Sequence, residues 1–151
     1  MDWHQFDTRV AAYAVIVDDA ERVLLALWNG PEVPMWTMPG GGVELDETPE
    51  EAAVRELREE TGYAVRLGEY LGSDVNVIAP SDRLSGGDRP LKALRLVYSA
   101  QVVSGRLTNE VGGSTDGARW VPLVEVPALR RISLVDAAVR LWRSAGSHRC
   151  R

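Results

Sequence analysis

The feature that most constrains this chain is residues 41–63, a glycine-rich turn followed by a segment with clustered acidic residues. Glu56, Glu59 and Glu60 are spaced so that a helix brings their carboxylates to one side. There they face the negative end of the helix dipole, and the i,i+4 pair Glu56 and Glu60 costs about 0.2–0.5 kcal/mol in repulsion. This pattern favours a divalent cation bound among the carboxylates, and a solvated acidic helix is the alternative.

The same stretch carries the signals of a helix over about residues 49–61. Thr48 is a typical N-cap, Pro49 fits the first helical position, and Glu51 completes a capping box. Gly62 is placed to end the helix in a left-handed conformation. A period near 3.6 predicts the face that packs on a core, formed by Ala52, Ala53, Val54, Leu57 and Thr61. Four charged residues are expected to lie off that face, namely Arg55, Glu56, Glu59 and Glu60.

The stretch resembles the signature of the Nudix hydrolases, in which glycines, acidic residues and an arginine occupy fixed positions. Eight positions match, which are Gly41, Glu47, Arg55, Glu56, Leu57, Glu59, Glu60 and Gly62. Tyr63 departs from the pattern, because an aliphatic residue is usual there. The resemblance implies an α/β fold of the Nudix type, an α/β/α sandwich with a mixed central β-sheet between helices. We expect one Nudix domain over residues 1–151, with residues 145–151 as a flexible tail.

The resemblance also implies a role for each matching residue. The implied metal ligands are the carboxylates of Glu59 and Glu60, that of Glu56 directly or through water, and the carbonyl oxygen of Gly40. Arg55 would orient Glu56, and Glu47 would hold Arg55 by a salt bridge. These roles suit cleavage of a phosphoric anhydride, for which Mg²⁺, or Mn²⁺ in its place, neutralises the pyrophosphate and lowers the pKa of a bound water.

The general base is expected within residues 107–119, because several Nudix hydrolases carry it on a loop beyond the last central strand. Glu110 and Asp116 are the candidates, and Glu110 is favoured. Gly117 stands three residues before Trp120, where many relatives have a glutamate. The alternative is that both acids are ordinary loop residues.

Two further features bear on substrate binding. Residues 79–90 form the one long irregular segment and are expected to be mobile without ligand. Arg83 and Arg89 in it could reach a substrate phosphate, although solvated loop arginines are the commoner outcome. Trp36, beside the glycine turn, could stack on a nucleobase. Trp3 and Trp28 share that possibility, with core packing as the alternative for all three, whereas Trp120 and Trp142 are expected in the core.

The rest of the chain reads as α/β. Strand-like runs occur at 9–17, 22–28, 36–38, 63–71, 75–78 and 93–103. Ser133 is the expected cap of a last helix over about 134–144, whose apolar stripe includes Leu134, Val135 and Ala138. A mixed sheet between two helices follows from this order.

Composition narrows the class of partner. The 151 residues suffice for one domain, and the net charge of −5 argues against a dedicated binder of nucleic acid polymers. No apolar run approaches the ~20 residues of a membrane span, and the lone Cys150 cannot form an internal disulfide. We expect a cytoplasmic enzyme, monomeric or homodimeric, without membrane partner, acting on a small-molecule nucleoside diphosphate derivative.

Substrate choice rests on weaker signals. Pyrophosphohydrolysis of a (d)NTP to (d)NMP and pyrophosphate ranks slightly ahead of ADP-ribose or NDP-sugar cleavage. Pro80, seventeen residues past Tyr63, is off register for the proline common in ADP-ribose enzymes. A catalytically silent nucleotide-binding Nudix module and an isopentenyl diphosphate isomerase-like enzyme are more remote. The isomerase would need an additional catalytic cysteine, for which the terminal Cys150 is poorly placed, and intact box carboxylates favour catalysis over binding alone.

Overall fold

The computed structural model describes residues 1–109 and 111–149, without the side chains of 147–149. Its strands are β1 Asp7–Val15, β2 Arg22–Trp28, β3 Met35–Thr37, β4 Gly40–Gly42, β5 Tyr63–Ile78, β6 Leu91–Gly105 and β7 Thr115–Pro122. Its α-helices are α1 Pro49–Thr61 and α2 Ser133–Arg149, and short 3₁₀ helices span Trp3–Gln5, Pro80–Asp82 and Leu123–Ala128. None of the described helices is long and apolar enough to cross a membrane.

The strands form two sheets, and the predicted α/β class is confirmed. The first sheet has the order β4-β1-β6-β5 and is mixed, because β1 pairs with β6 in parallel and the other pairs are antiparallel. The second has the order β3-β2-β7 and is antiparallel. The two predicted runs at 63–71 and 75–78 are one strand, β5, because register shifts around Tyr70 and Gly72 carry the pairing across the expected break.

Strand β7 corrects the expectation of a loop through residue 119. Asp116 and Gly117 are unfavourable for a strand on their own. They are paired nevertheless, because β2 offers a buried partner whose residues Val23 to Ala26 are completely inaccessible to solvent. The expected loop is therefore shorter, and it leads directly into the second sheet.

Helix α1 has the predicted bounds and largely the predicted packing face. Ala52 and Ala53 pack on Ala12 of β1, and Leu57 is also buried. Val54 is 39% exposed and Glu60 only 2% exposed, so both predictions for these side chains were wrong. The reason is that α1 also packs against β4, whose glycines leave room for the Glu60 carboxylate on that side of the helix.

Helix α2 begins at Ser133, one residue before the predicted start at about 134, and extends to Arg149, beyond the predicted end at about 144. Leu134, Val135 and Ala138 are buried in the largest core cluster together with β1 and β2 side chains. Leu141 and Trp142 pack against the same cluster. The core therefore holds α2 over about two and a half helical turns, and the helix continues beyond Trp142 to Arg149.

Candidate active site

Glu60 is held against the backbone of β4. Its Oε2 accepts a hydrogen bond from the Gly40 N–H at 2.9 Å. Gly40 has φ +144°, and a Cβ there would lie 2.2 Å from the carbonyl oxygen of Ala12. Only glycine suits this conformation and this close approach, so the turn before the helix fixes the position of the Glu60 carboxylate.

Glu56 meets the next residue of the same strand. A Cβ built on Gly41 would lie 2.7–2.9 Å from the carboxyl atoms of Glu56. A side chain at this position would therefore displace the carboxylate. The glycines of β4 thus bring backbone close to two of the predicted metal ligands.

Arg55 connects the remaining acids of the cluster. Its Nε and Nη2 donate to the two oxygens of Glu47 at 2.7 and 2.9 Å. Its Nη1 donates to Glu56 Oε1 at 3.0 Å and to Glu59 Oε2 at 3.3 Å, and its Nη2 also reaches the Gly42 carbonyl at 3.1 Å. This geometry matches the supporting roles implied for Arg55 and Glu47, and the roles themselves stay predictions.

The bidentate pair changes the protonation of both partners. Hydrogen bonds from Arg55 lower the pKa of the Glu47 carboxyl from 4.5 to about 2. Those to Glu47, and next those to Glu56, raise the pKa of the Arg55 guanidinium above its usual value. Both groups therefore stay charged throughout the neutral range.

The cluster suits a divalent cation in charge and in donor type. Five glutamates contact Arg55 or the backbone of β4, namely Glu44, Glu47, Glu56, Glu59 and Glu60. One arginine balances only part of that charge, and carboxylate oxygens are the hard ligands that Mg²⁺ prefers. Among the described side chains, those of residues 1–109 and 111–146, no three acidic, histidine or cysteine groups form a ready-made metal cage. Arg55 instead contacts four of the five carboxylates, and the Gly40 N–H donates to that of Glu60.

A cleft of about 240 Å³ opens beside Glu60. Besides Gly40 and Gly41, its wall includes the aromatic side chains of Tyr13 and Trp28 and the polar residues Arg9, Asn76, Arg95 and Ser133. Burial raises the pKa of the Tyr13 hydroxyl above its usual value. The carboxylate cluster therefore adjoins a cavity with both aromatic and polar walls.

Arg95 is a cleft residue that the sequence analysis did not single out. It is 7% exposed, donates to Asp74 Oδ2 through Nε at 2.9 Å and through Nη2, and reaches the Ser133 hydroxyl at 3.3 Å. Asp74 and Arg95 are direct cross-strand partners in β5 and β6. The sequence did contain a signal for Arg95, which stands inside a strand with alternating apolar residues. A charge that is buried there needs a partner.

The predicted phosphate ligands Arg83 and Arg89 both contact Asp7. Arg83 donates to Asp7 Oδ2 at 2.8 Å and to the Arg89 carbonyl at 2.7 Å. Arg89 pairs with Asp7 as well and donates to the His4 carbonyl at 2.9 Å. The hydrogen bond from Arg83 is the largest of the causes that lower the pKa of the Asp7 carboxyl below its usual value. These contacts fasten segment 79–90 to the start of β1, and substrate binding by the two arginines stays a prediction.

The tryptophans occupy different surroundings. Trp28 lies in the cleft wall, whereas Trp36 packs against the largest core cluster with the Arg119 guanidinium 5.0 Å from its ring. Trp3 is 71% exposed. Trp120 is partly buried, as expected, and its Nε1 donates to the Tyr63 hydroxyl at 3.1 Å. Trp28 is therefore better placed beside the carboxylates than Trp36, the residue favoured from sequence.

Of the two candidate bases, Glu110 lies outside the described residues. Asp116 is the second residue of β7, and its Oδ1 accepts a hydrogen bond from Asn29 Nδ2 at 2.8 Å. Ser114 and Thr115, just before it, line the cleft. The segment expected to carry the base therefore borders the cavity, and the identity of the base stays a prediction.

Known proteins resemble this chain in sequence and in fold. The family model of the NUDIX domain matches residues 7–142. The chain is 41% identical over 61 residues to a putative 8-oxo-dGTP diphosphatase of Bacillus subtilis, which covers 40% of each protein. It is 32% identical over 120 residues to the ADP-ribose pyrophosphatase of Methanocaldococcus jannaschii, covering 80% of this chain and 65% of that one. The matches thus span less than two thirds of these two relatives.

A solved structure agrees with the sequence matches. The MutT NUDIX hydrolase from Burkholderia pseudomallei superposes with a TM-score of 0.74 at 27% identity, covering 89% of this chain and 98% of that one. The chain therefore belongs to the Nudix family, and Nudix hydrolases generally need a divalent metal ion.

Proposed function

We propose that this protein is a Mg²⁺-dependent pyrophosphohydrolase that cleaves a nucleoside diphosphate linked to another moiety, in the first place a (d)NTP to (d)NMP and pyrophosphate. One observation carries the proposal: Glu60 lines, and the Glu56 carboxylate adjoins across Gly41, a cleft that contains Trp28 and Tyr13. The charged end and the aromatic end of a nucleotide would then bind side by side. The name of the Bacillus subtilis relative supports a nucleoside triphosphate substrate.

Each residue of the cluster would have a separate role in the reaction. Glu56, Glu59 and Glu60, with the Gly40 carbonyl, would hold a cation that neutralises the pyrophosphate and lowers the pKa of a bound water. Arg55 fixes the Glu56 carboxylate by its hydrogen bond at 3.0 Å. In hydrolysis, water oxygen bonds to phosphorus, and the bond from that phosphorus to the bridging oxygen breaks. The general base, Glu110 or else Asp116, would take the proton of the attacking water.

A second candidate is cleavage of ADP-ribose or an NDP-sugar. The Methanocaldococcus jannaschii relative named an ADP-ribose pyrophosphatase matches 80% of this chain, which is the observation in its favour. Either substrate is a free small molecule, in keeping with the net charge of −5. We propose that the protein acts on it in the cytoplasm, as a monomer or homodimer.

A substrate panel tests the proposal. The panel contains the ribo- and deoxyribonucleoside triphosphates, ADP-ribose and NDP-sugars, each with Mg²⁺, with Mn²⁺ and with chelator, and released phosphate groups and nucleoside monophosphates are quantified. We expect metal-dependent turnover that is fastest with a nucleoside triphosphate and yields pyrophosphate. If ADP-ribose is turned over fastest, it would replace the nucleoside triphosphate as the proposed substrate. Tight binding without any turnover would show a binding module.

A further inference from the structure

Arg9 is a cation in the cleft wall that the roles assigned so far do not use. It lies in β1, on the strand face that also carries Tyr13, because side chains alternate along a strand. Its guanidinium extends over β4, where a Cβ built on Gly42 would lie 3.2 Å from Nη2 and 3.5 Å from Nε. The guanidinium therefore lies at the cleft side of the strand that carries the glutamate contacts.

Six other arginines of the fold are paired with acids. Ion pairs join Arg22 to Asp18, Arg55 to Glu47, Arg83 and Arg89 to Asp7, Arg95 to Asp74, and Arg131 to Asp136. Arg9 differs from these, because in the described part of the chain it forms neither a hydrogen bond nor an ion pair, although five glutamates lie on or near β4. Its charge is thus available to a ligand in the cleft.

Successive residues of β4 meet groups of opposite charge. Gly40 donates to the Glu60 carboxylate, a Cβ built on Gly41 would meet the Glu56 carboxylate, and one built on Gly42 would meet the Arg9 guanidinium. Glu60 and Arg9 line the same cleft, so one ligand in it can extend from the Glu60 carboxylate to the arginine. A phosphorylated ligand with a cation at the acids would meet a second positive charge at Arg9.

We propose that Arg9 binds a phosphate group of the substrate and so positions the phosphate chain between the carboxylate cluster and the cleft. The inference rests on the proposed function and names a binding residue of that same site. A guanidinium suits this task, because its fork of N–H donors matches the oxygens of a phosphate. Arg9 would then distinguish phosphorylated nucleosides from nucleosides, whereas the cleft would contact the nucleoside portion of both.

Binding measurements on the full chain in chelator test the inference. Calorimetry gives the Kd of ADP, CDP and inorganic pyrophosphate, and of adenosine and cytidine, for the wild type, Arg9→Gln and Arg9→Lys. Arg140→Gln is the matched control, because Arg140 is an exposed arginine of α2 away from the cleft. We expect Arg9→Gln to weaken phosphorylated ligands by about 10- to 100-fold and nucleosides by less than about twofold. Arg9→Lys should retain part of the affinity, and Arg140→Gln should match the wild type.

Steady-state kinetics separate this inference from the proposed function. With the best panel substrate, Arg9→Gln should raise KM at least about tenfold and leave kcat within about threefold. Unchanged Kd values in Arg9→Gln, equal losses for nucleosides and nucleotides, or no binding of any anion by the wild type would overturn the role of Arg9. If no substrate of the panel is turned over but nucleotide binding still depends on Arg9, only the hydrolase proposal would be overturned.

Discussion

Glu60 is a buried carboxylate in a helix that leaves its neighbour Glu59 exposed. Taking a carboxylate out of water costs free energy unless charged or polar partners compensate. Here the Gly40 N–H provides part of that compensation. A charge kept at 2% exposure beside a cleft is therefore better explained by ligand binding than by stability.

Glu60→Gln should separate stability from activity. Glutamine keeps an oxygen acceptor for the Gly40 N–H and removes only the buried charge, so the free energy of unfolding should stay equal or rise by about 1 kcal/mol. The kcat should fall by about 10²-fold or more, because a metal ligand is lost. Denaturant unfolding and turnover assays measure both, with the exposed Glu125→Gln as control. A variant with near-normal kcat would remove Glu60 from the ligand set.

The lowered pKa of Glu47 predicts how the free energy of unfolding depends on pH. Its pKa falls from 4.5 to about 2 on folding, so it contributes stability above about pH 4.5 that is lost as the pH falls towards 2. The free energy of unfolding of Glu47→Gln should therefore decline less than that of the wild type between pH 5 and pH 2. Urea unfolding at several pH values in this window gives both slopes. Parallel declines would show that the Glu47 carboxyl titrates alike in the folded and unfolded states.

At the scale of elements, the two ends of α1 are fixed by different devices. Thr48 accepts from the Glu51 N–H at 3.1 Å at the N-terminus. At the C-terminus Gly62 has φ +80° and donates to the Arg58 carbonyl at 3.0 Å. A Cβ on Gly62 would lie 2.2 Å from Thr108 Oγ1, because the chain after β6 passes directly over this turn. The end of α1 thus supports the segment that leads to the cleft.

The substitution Gly62→Ala tests that support. It should lower the free energy of unfolding by at least about 1–3 kcal/mol, since alanine is strained in the left-handed region and meets Thr108. Gly146→Ala is the matched control in α2, where an added Cβ has open space. It should leave stability unchanged or raise it by about 0.5 kcal/mol. Similar losses in both variants would indicate a general effect of the added methyl group.

At the scale of the whole molecule, the cluster joins parts that are distant in sequence. Glu60 and Gly40 bring α1 onto the first sheet, while the cleft beside them also draws on Trp28 of β2 and Ser133 of α2. An ion bound at the cluster would bind the folded state and not the unfolded chain. Folding and metal binding should therefore be coupled.

Thermal unfolding measures that coupling without any substrate. At a concentration of Mg²⁺ or Mn²⁺ about 100 times its Kd, the wild type should gain about 2.7 kcal/mol, or about 5–10 °C in Tm, relative to chelator. The double variant Glu59→Gln/Glu60→Gln should lose most of this shift, and Glu125→Gln should keep it. Equal shifts in all three proteins would mean that the ions act through general ionic strength.

The features that depend on neighbouring residues were predicted well from the sequence, whereas pairings between residues distant in sequence were not predicted. The bounds of α1 and its caps follow from helical spacing and from turn chemistry at Thr48 and Gly62, which need only neighbouring residues. The burial of Glu60 depends on what β4 presents to the helix. Pairings such as Arg83 with Asp7, 76 residues apart, and Arg95 with Asp74, 21 residues apart, depend on the sheet order. One sequence gives no direct signal for that order.

The bare backbone of β4 also has a consequence for inhibitor design. This strand is the edge of its sheet, and it has glycine at all three positions. The Glu56 carboxylate and the cleft with Arg9 are thus separated there by a single layer of peptide groups, whereas Glu60 lines the cleft itself. A compact compound that fills the cleft alone would reach Glu60 but leave Glu56 unengaged. A potent inhibitor should instead straddle the rim, with a chelating arm on the helix side and an aromatic arm beside Trp28.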